Sequence, residues 1–405
     1  MRKIGLREYL ISQLTKVLLI AGGSAAALLL ITLLLVLFPG LARGLVPYER
    51  KNAGTEIDLE FRITDGDMFA WFPGRIRPPP EDTVLVAYRL KWDENSFRMP
   101  VRVADHYPIA AFGDSYTEAT NVVMPWPDKL AELLDVPVRN YGYRDYGPLE
   151  EARAVQEFAP LEPRSWVLVA YFSGNDLSNS NRTTHVEERS PFYLMPGLAA
   201  RVAGQLPVAP MPPSEHYDYP LPVIIGGNYY EMVFFPSYLW AQLAPPEGFE
   251  ASQTLQIVSD QLEIMIQAVP EETCLGLIFV PTKEHLYYPF IYPTERRWIR
   301  GVGQAPYLDE KKLVQLRDSP YSDEDEPELV KRLDDQHDAI LRLAAAKRRW
   351  HVIDLLPAFK EAVGRGGLLY YPYDSHWNQA GHDLAAQVIA GALWDVPECG
   401  LTRPD

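Results

Sequence analysis

Three short runs of apolar residues constrain this chain more than any other feature. They are YPIAAF (Tyr107 to Phe112), WVLVAYF (Trp166 to Phe172) and CLGLIFV (Cys274 to Val280), and WHVIDLL from Trp350 carries another strand. A strand with one wet face alternates apolar and polar residues, whereas a strand covered on both faces reads as an unbroken apolar run. VPVRNYG, ending at Gly142, supplies a further strand. Between these runs lie segments of helical period: Trp126 to Leu134, with Pro early where its missing N–H costs nothing, Leu149 to Phe158, Glu328 to Arg348 and Gln379 to Trp394. Strands alternating with helices predict an α/β body whose parallel sheet carries helices on both faces. Functional residues are then expected at the carboxyl ends of the strands.

Upstream of this body, Val17 to Phe38 runs for 22 residues without a charge, long enough to cross a bilayer core. Arg2, Lys3, Arg7 and Lys16 precede it, against Glu8 alone; Arg43, Arg50 and Lys51 follow, with Glu49. The bias predicts a single-pass anchor with its N-terminus in the cytoplasm and the body outside, in the periplasm or extracellular space. A cleaved signal is the competing reading, but its apolar core would be shorter and no A-x-A site stands out after Phe38. The expected plan is a cytoplasmic segment 1–16, a transmembrane helix 17–38, a linker 39–54, a β-rich lead-in 55–105 and a catalytic-type body 106–398. An insertion at about 177–269 interrupts the body, and a helix is expected within it from Gln253 to Gln267. The lead-in rests on alternating runs such as EIDLEFRI and TVLVAYRLKW.

A net charge of −16 argues against nucleic acid as a partner. Two cysteines, Cys274 and Cys399, exclude a disulfide scaffold and a four-cysteine zinc site, and leave a single bridge open. The insertion is rich in Pro and aromatic residues. It reads equally as a lid or substrate platform and as structural elaboration. Tyr229, Tyr230, Phe234, Phe235 and Trp240 in it can stack on sugar rings or fill core. The acidic run Asp323 to Glu326 suits a helix start better than a calcium site.

Three segments carry residues able to do chemistry. Ser115, in Gly113-Asp114-Ser115-Tyr116-Thr117, follows the first strand of the body, where a hydroxyl can meet substrate once a base activates it. Asp374-Ser375-His376 lies just before the last helix. In extended backbone, residues two apart point the same way, so Asp374 can hold one imidazole nitrogen while the other faces a nucleophile. A metal set of Asp374, His376 and His382 competes with this reading, but no H-E-x-x-H is present. Gly174-Asn175-Asp176 ends the strand WVLVAYF. The Asn175 amide there can donate to a developing oxyanion, with the Ser115 N–H as second donor and the loop Asn140 to Asp145 as source of a third. The same residues, taken singly, read as a helix cap, a satisfied histidine and a turn. No Walker loop, no G-x-G-x-x-G after a strand and no G-x-S-x-G elbow occurs, so no cofactor and no metal are expected.

In order along the chain, Gly113-Asp114-Ser115-Tyr116, Asn140-Tyr141-Gly142, Gly174-Asn175-Asp176 and Asp374-Ser375-His376 resemble the four blocks of the SGNH (GDSL-type) hydrolase superfamily. The segment KWDENSFRMP (Lys91 to Pro100) and Pro281-Thr282-Lys283-Glu284 also look like parts of bacterial members. The resemblance covers about residues 90 to 395. It implies a three-layer flavodoxin-like α/β fold, Ser115 as nucleophile, His376 as base, Asp374 as its orienter, and an oxyanion hole from Ser115, Asp145 and Asn175. Two departures stand out. Asp145 falls where the family usually has Gly, and Asp374 and His376 are two apart where many members place them three apart. The D-x-H-W-N form resembles the branch that O-acetylates exported polysaccharides such as alginate. In that branch the Asp-His pair usually precedes the Ser, so this specific activity is not assigned.

The expected function is a membrane-anchored serine esterase or O-acyltransferase. Its expected substrate is an ester on a cell-surface or exported glycan or a small ester, and a membrane-bound acyl-donor protein is a candidate partner. A non-catalytic glycan-binding or scaffold protein of the same fold, and a lipid-directed esterase, are the alternatives.

Overall fold

The structure, a computed structural model, describes residues 54, 56–64, 83–176, 179, 221–234, 238, 253–293, 296, 326–372 and 374–401, with isolated positions between 13 and 31. The strands are β1 (Glu56–Thr64), β2 (Thr83–Lys91), β3 (Ile109–Gly113), β4 (Val138–Gly142), β5 (Trp166–Phe172), β6 (Leu221–Ile225), β7 (Asn228–Met232), β8 (Cys274–Val280) and β9 (Trp350–Asp354). The helices are α1 (Ser115–Glu118), α2 (Trp126–Leu134), α3 (Pro148–Phe158), α4 (Gln253–Ala268), α5 (Lys283–Tyr287), α6 (Glu326–Ala345), α7 (Leu356–Gly364) and α8 (Gln379–Trp394).

Five strands form the central sheet in the order β4-β3-β5-β8-β9, and every pairing is parallel. The second strand of the body thus lies outside the first, and the remaining three continue from the other side. That is the flavodoxin-like order, whose switch point falls between β3 and β5. β3 and β5 are buried at every residue, as their unbroken apolar runs require, and β4 is equally buried although it carries Arg139 and Asn140, whose polar groups are met by Asp93 and by Thr117 O and the Gly142 N–H. α2 packs against α8 and α3 against α4, which places helical cover over the sheet.

Several boundaries differ from expectation for local reasons. β3 begins at Ile109 because Pro108 has no N–H to pair, and its carbonyl accepts from Ser165. The run WHVIDLL stops being a strand at Asp354, whose carboxylate accepts the Leu356 N–H at 2.9 Å and starts α7, a helix the periodicity did not mark. α6 ends at Ala345, three residues early, in a turn closed by Trp350 N–H to Lys347 O. Within the insertion, β6 and β7 form a hairpin turned by Gly226 and Gly227, both at positive φ. Two glycines between alternating runs are a hairpin signal, and the Pro-rich flanks hid it.

The lead-in strands β1 and β2 pair antiparallel, Glu56 opposite Lys91. The segment after β2 then packs on the sheet: the Phe97 ring meets Tyr141 and Phe158 edge-on at 5.2 and 5.0 Å, and Arg139 pairs with Asp93. Cys274 at the start of β8 is disulfide-bonded to Cys399, 125 residues away.

The chain divides into two units, residues 1–51 with 184–211 and residues 52–183 with 212–405. Among the described residues no helix is long and apolar enough to cross a membrane. Most of the expected 17–38 span lies outside them, as do Phe235, Trp240 and Asp323 to Asp325.

Candidate active site

β3 ends at Gly113, and the buried Asp114 caps the short helix α1 by accepting the Tyr116 N–H at 2.9 Å. Ser115 is therefore the first residue of that helix. It is partly exposed, while its neighbours on either side are buried. Burial pushes the Asp114 carboxyl up to about 6. Asp176 and Glu151 are also fully buried, and burial first, then mutual repulsion within this carboxyl group, raises both well above the ordinary range.

The segment before α8 arrives over the same rim. His376 Nε2 lies 2.8 Å from Ser115 Oγ, and His376 Nδ1 lies 2.5 Å from Asp374 Oδ1. A carboxylate only accepts, so Nδ1 carries the proton and Nε2 accepts from the serine hydroxyl. The same Asp374 oxygen accepts the His376 backbone N–H at 2.9 Å, which fixes the turn as well as the ring. Burial on its own lowers an imidazole, but the charge and hydrogen bond of Asp374 outweigh it and raise His376. Burial likewise raises a carboxyl, yet His376 draws Asp374 below its ordinary value. Only a neutral His376 accepts the serine proton, so ester turnover should fall on the acid side through a limb above the ordinary imidazole pKa of about 6.5. A pH profile of kcat/KM checks this; a limb at or below that value would contradict the pairing.

The two segments, some 260 residues apart, are stitched together around the site. Tyr116 donates its hydroxyl to Ser375 O at 2.5 Å, Asn121 donates to Trp377 O at 3.2 Å, and Tyr371 donates to Asn121 O at 2.8 Å. The Tyr116 and His376 rings lie 5.0 Å apart. Arg98, buried, donates to the carbonyls of Glu118, Ala119, Val122 and Val123 and so holds the turn behind α1. Sequence reasoning assigned no role to Arg98 or Tyr116, because their partners are backbone carbonyls far along the chain.

Asn140 is wholly buried. Its side chain donates to Thr117 O at 2.7 Å and accepts from the Gly142 N–H at 2.8 Å, tying the end of β4 to α1. Gly142 is required for that approach: a Cβ there would come within 2.3 Å of the Glu118 N and 2.6 Å of Thr117 backbone. Gly142→Ala should cost about 1–3 kcal/mol and displace α1, read as a lower melting temperature together with reduced ester turnover. Melting and turnover equal to wild type would contradict the close approach.

Asp145 follows in the next turn with φ of +67°, the left-handed conformation that Gly adopts freely. This turn is pinned by Glu118, which accepts from the Arg144 backbone N–H and Nε at 3.0 Å and from Nη2 at 2.8 Å. Asn175 stands in the turn after β5, across the switch point from Ser115, and its carbonyl accepts the Asn179 N–H. Asp176 closes that turn by accepting the Phe172 N–H at 2.7 Å.

The other candidates fall elsewhere. His382 accepts the Trp126 N–H at 3.3 Å, away from the Asp374–His376 pair. Among the described residues, the only group of metal-ligating side chains close enough to share an ion is Cys274, His351 and Cys399, whose sulfurs are bonded to each other. Phe234 is core, Tyr230 packs against the core, and Tyr229 is 64% exposed.

A parallel α/β sheet with a serine, histidine and aspartate joined at its carboxyl rim is the framework of an ester hydrolase or acyltransferase. The family model described as "SGNH hydrolase-like domain, acetyltransferase AlgX" matches residues 316–404, the part that holds Asp374 and His376. Over this C-terminal segment the chain is similar to that family. No curated protein matches it. Among solved structures, the C-terminal catalytic domain of Streptococcus pneumoniae peptidoglycan O-acetyltransferase A is similar at 9% identity, over 74% of this chain and 98% of that one, with a TM-score of 0.32. A lipolytic protein of the G-D-S-L family from Veillonella parvula is similar at 13%, over 70% and 96%, with a TM-score of 0.32.

Proposed function

We propose that the protein is a membrane-anchored serine esterase or O-acyltransferase acting on ester groups of cell-surface or exported glycans. The hydrogen-bonded chain from Asp374 through His376 to Ser115 Oγ carries this reading. Ser115 Oγ attacks the ester carbonyl while His376 Nε2 takes its proton. The C–O bond to the alcohol breaks, and His376 returns the proton to that leaving oxygen. Water or a sugar hydroxyl then attacks the acyl-serine, and His376 acts as base once more. Asp374 holds the imidazole and stabilises it when charged. The Ser115 N–H, the Asn175 amide and the Asp145 N–H are the donors proposed for the oxyanion.

The proposed location is a body outside the cytoplasm on a 17–38 anchor. The charge bias around that segment supports it, and so does the Cys274–Cys399 disulfide, since such bonds persist in oxidising compartments. If transfer dominates, the proposed acyl source is a membrane-bound donor protein.

Purified protein given p-nitrophenyl acetate and p-nitrophenyl decanoate tests the substrate class. Faster turnover of acetate, with acetate released from or placed on an O-acetylated glycan, is expected. Preference for decanoate would replace the glycan reading with a lipid-directed esterase, and inertness toward both would leave a binding protein.

A further inference from the structure

Lys283 is the first residue of α5 and is completely buried. A lysine is seldom buried unless its charge is met. Its partners here are backbone carbonyls: Nζ donates to Val233 O at 2.8 Å, Tyr371 O at 2.8 Å and Pro372 O at 2.6 Å, and stands 3.1 Å from Asp374 O. The Phe234 ring lies 5.4 Å away. Three of these four carbonyls belong to the turn that presents Asp374 to His376. That turn is otherwise held by Tyr371 N–H to His376 O and by Asp374 N–H to Tyr371 O. The Val233 N–H also donates to Pro372 O, so the tail of the β6–β7 hairpin is drawn to the same point.

We propose that Lys283 is the positioning residue of the site, its ammonium gathering the carbonyls of Val233, Tyr371, Pro372 and Asp374 and so fixing the turn that aims Asp374 at His376. The inference rests on the reading of Asp374, His376 and Ser115 as a catalytic relay. Lys283 does not reach the reacting atoms; it acts through Asp374. Without the ammonium, Val233 O and Asp374 O would lose their donor inside the protein, and Tyr371 O and Pro372 O would keep only the N–H bonds from Asp374 and Val233, so the turn must open if the ammonium is lost. A misplacement of about 1 Å in such a relay costs on the order of a hundredfold in rate. The ammonium also has an electrostatic part, since its charge helps hold Asp374 ionised. Burial pulls Lys283 down to about 7, opposed by the charges of Glu284 and Asp374, so its proton is exchangeable in the working range.

The test compares wild type, Lys283→Met and Lys283→Ala in the full chain. Lys283→Met is expected to lose about a hundredfold in kcat with KM changed less than about threefold. Its acid limb should move to higher pH, because removing a positive charge near the pair favours the imidazolium. Ethylammonium added to Lys283→Ala should restore part of the lost kcat, which a merely structural defect would not allow. Wild-type kcat and an unmoved acid limb in Lys283→Met would overturn the proposal. If neither variant folds, hydrogen exchange of wild type decides. Amide protection at Tyr371, Asp374 and His376, corrected for intrinsic rate, should fall as pH rises through about 7 while α8 stays protected; protection that ignores pH overturns the proposal. Fluorophosphonate labelling of wild-type Ser115 separates the two levels. An unlabelled serine removes the relay itself, whereas equal labelling of wild type and Lys283→Met removes only the role of Lys283.

Discussion

Ser115→Ala is expected to lower turnover of an acetyl ester by about 10⁴-fold or more while leaving the fold unchanged. The rate loss follows from the chemistry. Ser115 Oγ is the atom 2.8 Å from His376 Nε2, and without it no acyl-serine can form. Residual turnover would come from the oxyanion donors and from binding alone. The fold should tolerate the change because Ser115 is partly exposed and starts a helix whose cap is Asp114. Alanine is also a good residue in a first turn. A melting temperature within a few degrees of wild type, beside a collapsed kcat, is the expected pair of results. Retained turnover would mean that another group attacks the ester.

The second large effect is expected from Asp374→Asn, about 10⁴-fold in kcat. Asp374 Oδ1 accepts two hydrogen bonds from His376, one from the ring and one from the backbone. An amide of the same size can present an N–H to Nδ1 and force the proton onto Nε2, which then cannot accept from Ser115. The substitution also removes the charge that raises His376 against the effect of burial. What activity remains should therefore show an acid limb at lower pH than wild type, opposite in sign to the shift expected from Lys283→Met. Loss of kcat with the limb unmoved would indicate a general disturbance rather than a lost orienter.

Much of this arrangement was legible in the chain, and the reasons differ by element. β5 and β8 were readable to the residue because strands covered on both faces leave unbroken apolar runs with sharp ends. The blocks around Ser115, Asn175 and His376 were readable because each joins a reactive or donating side chain to a strand or helix end. Their meeting was not, since no local pattern encodes contact across some 260 residues. Asp145 looked like a departure when only its side chain was known; its φ of +67° shows the turn keeping a conformation that Gly would adopt without strain. The β6–β7 hairpin was hidden by surrounding prolines, and α7 by the apolar pair Leu355-Leu356, which extends the look of β9. Lys283, Arg98 and Glu118 escaped as roles because a single buried charge shows no periodicity. What each one does is set by carbonyls or N–H groups that only the folded chain brings near.

The most direct measurement is to expose the full-length protein to a fluorophosphonate and map the adduct by peptide mass spectrometry. A single phosphonylated residue, Ser115, is predicted, with labelling lost on unfolding and strongly slowed in His376→Ala. An unmodified Ser115 in the native protein, or a labelling rate that does not respond to the loss of His376, would contradict the account.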